Sequence, residues 1–233
     1  MKHSKRYQSS IEKVDRNQAY AIEEGVGILK SGQAAKFDET VDIAIKLGVD
    51  PKKADQMVRG TVSLPHGTGK KVRVLVLAKA PKDKEALDAG ADMAGLEEYI
   101  EKIEKGWSDV DAVVATPDVM KDVGKLGKFL GRKGLMPNPK TGTVTFEVAD
   151  AVKQLKAGRI EFRVDKFGNV HSTVGKMSFS EEQLSGNIKT LLDKIIRMKP
   201  ASVKGQYLRG VTISSTMGPG IRLDRANIIE ALR

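Results

Sequence analysis

The spacing of apolar residues changes character twice along this chain, and that change limits the available folds more than any other feature. Between residues 37 and 47, Phe37, Val41, Ile43, Ile45 and Leu47 fall on one side of an extended backbone, and Asp38, Thr40, Asp42 and Lys46 on the other. The two-residue period returns late in the chain. Ile160, Phe162 and Val164 alternate with Arg159, Glu161, Arg163 and Asp165; after a turn at Lys166-Phe-Gly-Asn169, Val170, Ser172 and Val174 alternate with His171 and Thr173. Val211 and Ile213 then alternate with Thr212, Ser214 and Thr216. Such strands keep one face on a core and leave the other open. The cover for the apolar face is a helix from Ser180 to Met198, with Leu184, Ile188, Leu191, Leu192, Ile195 and Ile196 on one stripe. Ser180 and Gln183 form a capping box, and Pro200 ends the helix. A shorter helix over 21–29 packs beside it.

From Thr68 to Gly158 the pattern is different. Val72-Arg-Val-Leu-Val-Leu-Ala78 and Asp111-Ala-Val-Val-Ala-Thr116 read as strands buried on both faces. Helices are predicted over 81–89, 96–103, 119–130 and 146–155. Strands alternating with helices imply a small parallel sheet covered on both sides. Breaker-rich stretches, Pro65-His-Gly-Thr-Gly-Lys70 and Lys156-Ala-Gly-Arg159, bound this part and place expected hinges at Gly67, Gly69 and Gly158. The expected fold is α+β: a discontinuous two-layer α/β-sandwich domain, residues 1–67 plus 159–233, holding an inserted Rossmann-like three-layer α/β domain, residues 68–158.

Lys and Arg number 40 against 30 Asp and Glu, a net charge of +10, which favours a polyanionic partner. The excess is uneven. Residues 68–158 hold 16 Lys and Arg against 14 Asp and Glu, so +8 of the +10 lies on the flanks. With no cysteine there is no disulfide framework and no thiolate site. The basic start leads into no apolar run, and nothing approaches the roughly 20 apolar residues of a membrane span. A protein of the cytoplasm, with no membrane partner, is expected.

Catalytic chemistry finds little support. The run Gly124-Lys-Leu-Gly127-Lys-Phe-Leu-Gly131-Arg-Lys-Gly134 lacks the hydroxyl that a phosphate loop places after Gly-Lys, and no G-x-G-x-x-G follows the Val72 strand. His3, His66 and His171 have no partner at metal-ligand spacing, and no nucleophile elbow is present. Asp111 and Asp118 read as a strand-start and a helix-start carboxylate. No catalytic residue, metal or cofactor is assigned; a nucleotide-dependent enzyme built on the insert is the alternative. A DNA-binding repressor lacks a helix-turn-helix.

Projected together, the open faces carry Thr40, Asp42, Lys46, Arg159, Arg163, His171, Thr173, Thr212, Ser214 and Thr216. Hydroxyls mixed with cations suit phosphates and ribose hydroxyls, although a solvated sheet face has the same composition. In Thr212-Ile-Ser-Ser-Thr-Met-Gly-Pro-Gly220, Met217 is either a core plug or an apolar contact, Gly218 admits close backbone approach and Pro219 fixes the exit. In Ala35-Lys-Phe-Asp-Glu-Thr40, Lys36 offers charge and Phe37 a flat apolar surface at a strand entrance; the alternative for Phe37, supported by its parity, is the first core residue of its strand.

The runs Lys36-Phe-Asp-Glu-Thr-Val41, Asp55-Gln-Met-Val-Arg-Gly-Thr-Val-Ser-Leu-Pro-His-Gly67, Asp111-Ala-Val-Val-Ala-Thr-Pro-Asp-Val-Met120, Gly131-Arg-Lys-Gly-Leu-Met-Pro-Asn-Pro-Lys140, Lys156-Ala-Gly-Arg-Ile-Glu-Phe-Arg163 and Thr216-Met-Gly-Pro219 span nearly the whole chain. In this order they resemble the bacterial-type family of ribosomal protein number one of the large subunit. The stretch from Gly124 to Asn138 looks like that family's signature and lies in the insert. The resemblance implies two domains on a hinge and binding to large-subunit (23S) ribosomal RNA, at the mobile stalk of the large ribosomal subunit beside the exit-site tRNA. It also implies help in releasing deacylated tRNA and repression of the protein's own operon mRNA. RNA contacts carried over are Lys36, Phe37, Thr40, Thr216, Met217 and Gly218, with Pro219 next to them. The face argument adds Lys46, Arg163, Lys166, His171, Thr173, Lys176 and Ser214. The segment 88–105 and the tail 224–233 carry no motif.

Overall fold

A computed structural model describes residues 4–32 and 35–232; Met1, Lys2, His3 and the tail's Arg233 lie outside the described residues. In chain order the elements are α1 (Lys5–Ile11), α2 (Ile22–Ser31), β1 (Thr40–Leu47), β2 (Arg59–Ser63), β3 (Val74–Leu77), α3 (Lys82–Asp88), β4 (Met93–Gly95), α4 (Glu97–Glu104) and β5 (Ala112–Ala115). Then follow α5 (Met120–Val123), α6 (Gly127–Leu130), α7 (Val148–Lys156), β6 (Arg159–Arg163), β7 (Asn169–Lys176), α8 (Glu181–Arg197), β8 (Leu208–Ser215), β9 (Ile221–Leu223) and α9 (Arg225–Ala231). The fold is mixed α/β, with antiparallel and parallel sheets. By contact density the chain divides into one unit of residues 1–69 with 160–233 and a second of residues 70–159.

The first unit is organised by its longest helix. Ser180 Oγ accepts from the Gln183 N–H at 3.2 Å, and Gln183 Oε1 accepts from the Ser180 N–H at 2.9 Å, so two donors at the start of α8 are satisfied reciprocally. Glu181 and Glu182 complement the helix dipole at the first turn, Lys194 and Arg197 at the last. Its apolar stripe, Leu184, Ile188, Leu191, Leu192 and Ile195, is fully buried. Each such side chain contributes about 1.5–3 kcal/mol by leaving water. With α2, this stripe covers one side of an antiparallel sheet of order β7-β1-β8-β9, meeting Val41, Ile43, Ile45, Val174, Val211 and Ile213 in one core.

The strands depart from the sequence reading in two ways that matter for the open face. β1 begins at Thr40, not Phe37. Phe37 lies in a bend before the strand and is 54% exposed, so of its two readings the core one, supported by parity, does not hold. Second, β6 pairs with β2 in a separate two-stranded sheet, tied by Arg59 Nη2 and Glu161 Oε1 at 2.7 Å. Arg159 and Arg163 therefore do not join the four-stranded face. Strand β2 was not read from the sequence, and neither were β4, β9, α1 and α9.

In the second unit β3 runs parallel to β4 and β5. All four residues of β3 are fully buried, because Val74 and Val76 pack with Ala86, Val148 and Val152 on one side of the sheet, and Leu75 and Leu77 with Ile103, Val123 and Leu130 on the other. The predicted single helix over 119–130 is a chain of short segments instead. α5 and α6 are separated by a 3-10 turn at Gly124–Leu126 and followed by another at Gly131–Lys133. Glycines at 124, 127 and 131 weaken a regular helix, as expected from their backbone entropy. Gly67, Gly69 and Gly158 all have positive φ, of 66°, 72° and 95°.

Candidate functional site

Cross-strand register arranges the open side of the four-stranded sheet in rows. Asp42 faces Thr173 and Ser214; Ala44 faces His171 and Thr212, with Arg222 beyond Thr212; Lys46 faces Asn169 and Gly210. Thr173 Oγ1 donates to Asp42 Oδ1 at 2.9 Å, and Lys176 Nζ to Thr40 Oγ1 at 2.8 Å. The small residues Ala44 and Gly210 leave a shallow concavity of about 640 Å³, lined also by Lys46, His171, Arg209 and Arg222. Its lining also holds Arg225 and one carboxylate, Asp224, so cations outnumber anions there.

One end of this face is built around a residue the sequence reading passed over. Glu39 is 4% exposed. Its Oε1 accepts from the Ala35 N–H at 3.0 Å; its Oε2 accepts from Ser215 Oγ at 2.7 Å and the Met217 N–H at 2.9 Å. Burial pushes this carboxyl up, but the hydrogen bonds from Ser215, Met217 and Ala35, with the Arg6 charge, outweigh it and leave the pKa below its ordinary value. Glu39 stays ionised and binds the segment before β1 to the turn after β8. Two further bonds join the same segments: Thr216 N–H donates to Thr40 O at 3.0 Å, and Thr40 N–H to the Thr216 side-chain Oγ1 at 3.1 Å. Gly218 is required here by packing, since a methyl on its Cα would lie 2.6 Å from Ser215 Oγ, the donor to Glu39. Held on this frame, Phe37 and Met217 are 54% and 50% exposed. Met217 is not a core plug.

The opposite end is the turn between β6 and β7. Asp165 Oδ1 accepts from the Phe167 and Asn169 N–H groups at 2.8 and 2.7 Å. The Asn169 N–H holds this carboxyl below its ordinary value; the Phe167 N–H, the Asn169 side chain and nearby His171 add to it against a smaller effect of burial. Lys46 Nζ donates to Phe167 O. Lys166 is exposed, and Phe167 stands 77% exposed at the tip.

The structure thus brings Thr40, Lys176, Thr216, Met217, Gly218 and Pro219 to one end, with Lys36 and Phe37 on the adjoining segment. Thr173 and Ser214 lie mid-face, and Lys46, Lys166 and His171 at the far end. Arg163 is left off the face with β6. Beyond Glu39, sequence reasoning missed Phe167, Arg209 and Arg222. The alternation Ile221-Arg-Leu223 carried a readable signal for Arg222, because its neighbours are buried and it is exposed. Glu39 had none, since its partner Ser215 lies 176 residues away.

Exposed hydroxyls, cations and flat apolar side chains on a stiff sheet match a ribose-phosphate backbone with unpaired bases. Among the described residues no group of His, Asp and Glu could hold a metal ion, and no helix is long and apolar enough to cross a membrane. Asp111 is a structural carboxylate: it accepts from Lys70 Nζ at 2.6 Å and the Arg73 N–H at 3.1 Å.

Residues 29–219 match the model of the Ribosomal protein L1p/L10e family. The large ribosomal subunit protein uL1 of Chlorobaculum tepidum is 56% identical over 225 residues, covering 97% of each chain. The protein of that name from Chlorobium luteolum is 57% identical over 225 residues, 97% of this chain and 98% of that one. That of Cutibacterium acnes is 58% identical over 224 residues, 96% and 97%.

Proposed function

This chain belongs to the ribosomal protein L1p/L10e family, and on that footing we propose that it is a structural, non-catalytic component of the large ribosomal subunit that grips large-subunit ribosomal RNA with the open face of its four-stranded sheet. The observation that carries this reading is the pair Phe37 and Met217. Two large apolar side chains are held in solvent on segments locked by a buried carboxylate, an arrangement that gains nothing for folding and suits contact with unstacked bases. Thr40, Thr173, Ser214 and Thr216 supply hydroxyls for ribose and phosphate. Lys36, Lys46, Lys166, His171 and Lys176 supply cations or hydrogen-bond donors. Gly218 and Pro219 shape the turn.

In this reading residues 1–67 plus 159–233 form the RNA-binding two-layer sandwich, and residues 68–158 a Rossmann-like three-layer insert joined through hinges at Gly67, Gly69 and Gly158. The protein works in the cytoplasm on the ribosome's mobile stalk, assists release of deacylated tRNA from the exit site, and represses its own operon mRNA when that RNA presents a similar surface. Met217→Ala is the clean test, because Met217 contributes its backbone, not its side chain, to the Glu39 frame. Affinity for a stalk fragment of large-subunit ribosomal RNA, measured by filter binding at fixed salt, should fall by about 1–3 kcal/mol, with urea stability unchanged. Unaltered affinity would remove the site from consideration.

A further inference from the structure

The chain has no cysteine, so its eight methionines are its whole supply of peroxide-reactive sulfur. Met1 lies outside the described residues. Five others are partly buried: Met177 and Met198 against the core of the first unit, and Met93, Met120 and Met136 against that of the second. Among the described residues two are exposed, Met217 at 50% and Met57 at 39%. Met57 follows the 3-10 turn Ala54–Gln56 just before β2, off the four-stranded sheet. Met217 stands in the turn after β8, between Thr216 and Gly218 of the candidate RNA face. Its backbone N–H is committed to Glu39 Oε2 at 2.9 Å, and the Gly218 N–H donates to Ser215 O at 3.2 Å, so the turn is shaped without the thioether. The most exposed sulfur side chain is therefore one whose apolar character the RNA contact uses and the fold does not.

We propose that Met217 is an oxidation site through which hydroperoxides switch off RNA binding, a reading that rests on the RNA-binding role proposed above. A sulfur lone pair attacks the terminal oxygen of the hydroperoxide. The S–O bond forms as the O–O bond breaks, and the proton of the transferred oxygen goes to the leaving oxygen, which departs as water or an alcohol. Sulfur gives up two electrons and the hydroperoxide takes them. The product is a polar sulfoxide in place of a flexible apolar thioether. Pressed against a base, this group sheds its water with no hydrogen bond in return, which weakens the contact. RNA already seated on Met217 excludes peroxide, so the switch acts on free protein. Thiol-dependent reductases reverse it: two thiols become a disulfide, and the oxygen leaves as water.

The test treats the full-length protein with hydrogen peroxide until about half of Met217 is oxidised, then passes it over immobilised stalk fragment at fixed salt. Peptide mass spectrometry reads the sulfoxides in the bound and unbound fractions. Oxidation should be faster at Met217 than at Met57. The Met217 sulfoxide should be enriched roughly tenfold in the unbound fraction, the scale of a lost binding hot spot, and the Met57 sulfoxide shared evenly. Methionine sulfoxide reductases for both sulfur epimers should restore binding, and urea stability should be the same before and after oxidation. Met217→Leu, whatever affinity it starts from, should lose none on the same treatment. Oxidation no faster at Met217 than at Met57, an even split of the Met217 sulfoxide, a loss that the reductases do not restore, a fall in urea stability, or a peroxide loss in Met217→Leu equal to that of wild type would each overturn the switch. Untreated protein that fails to bind the fragment, or bound RNA that leaves Met217 fully reactive, would instead strike the proposed function itself.

Discussion

Replacing Glu39 with Gln probes the frame on which the candidate site stands. The two carboxylate oxygens share three donors: Oε1 takes the Ala35 N–H, and Oε2 takes Ser215 Oγ and the Met217 N–H. A glutamine has one acceptor oxygen. Turned toward Ser215 and Met217, it sets its own NH₂ against the Ala35 N–H; turned the other way, it opposes the Met217 N–H, while the Ser215 hydroxyl can rotate to accept. A hydrogen bond to a charged partner contributes about 1.5–3 kcal/mol, and at least one is lost outright while the others become neutral. The expected destabilisation is therefore about 2–3 kcal/mol at neutral pH. Urea unfolding followed by far-UV circular dichroism measures it, while the fluorescence of Trp107, the chain's one tryptophan, follows the second unit. Because folding lowers the Glu39 pKa from its ordinary 4.5, the wild type's advantage should be full above that pH and vanish as pH falls through the lower folded value. A difference under about 0.5 kcal/mol at pH 7, or one that grows on acidification, would refute the argument.

Gly218→Ala should cost about 1–3 kcal/mol by overpacking against Ser215 Oγ. The cost should shrink in a Ser215→Ala background, where the nearest remaining atom is Cβ at 3.7 Å; additive costs in this double-mutant cycle would argue against the clash. Asn187→Leu removes a fully buried amide that donates to Gly67 O at 2.9 Å and Val174 O at 2.8 Å and accepts from the His66 N–H at 3.1 Å. Stranding these groups should cost on the order of 3 kcal/mol in urea unfolding, and a near-neutral variant would show that water replaces the amide. Arg222→Ala should leave stability within about 0.5 kcal/mol and reduce the salt slope of ribosomal RNA binding by about one; an unchanged slope would place Arg222 outside the interface.

Much of this protein is legible one segment at a time. The capping box at Ser180, the buried stripe of α8, the alternation of β1 and the fully buried β3 all follow from periods of two and 3.6 residues, because burial on one side of an element is written in its own sequence. The hydroxyls and cations of the open face follow from that alternation too. Tertiary structure alone decided which strands are neighbours. It assigned β6 to β2 and so removed Arg163 from the face, since an alternating strand fits any edge of matching pattern and only long-range packing selects one. It also left Phe37 in solvent and gave Glu39 its role, through hydrogen bonds to residues 176 and 178 positions away. A contact between distant segments leaves no period in either, so its energy appears only once the chain has closed.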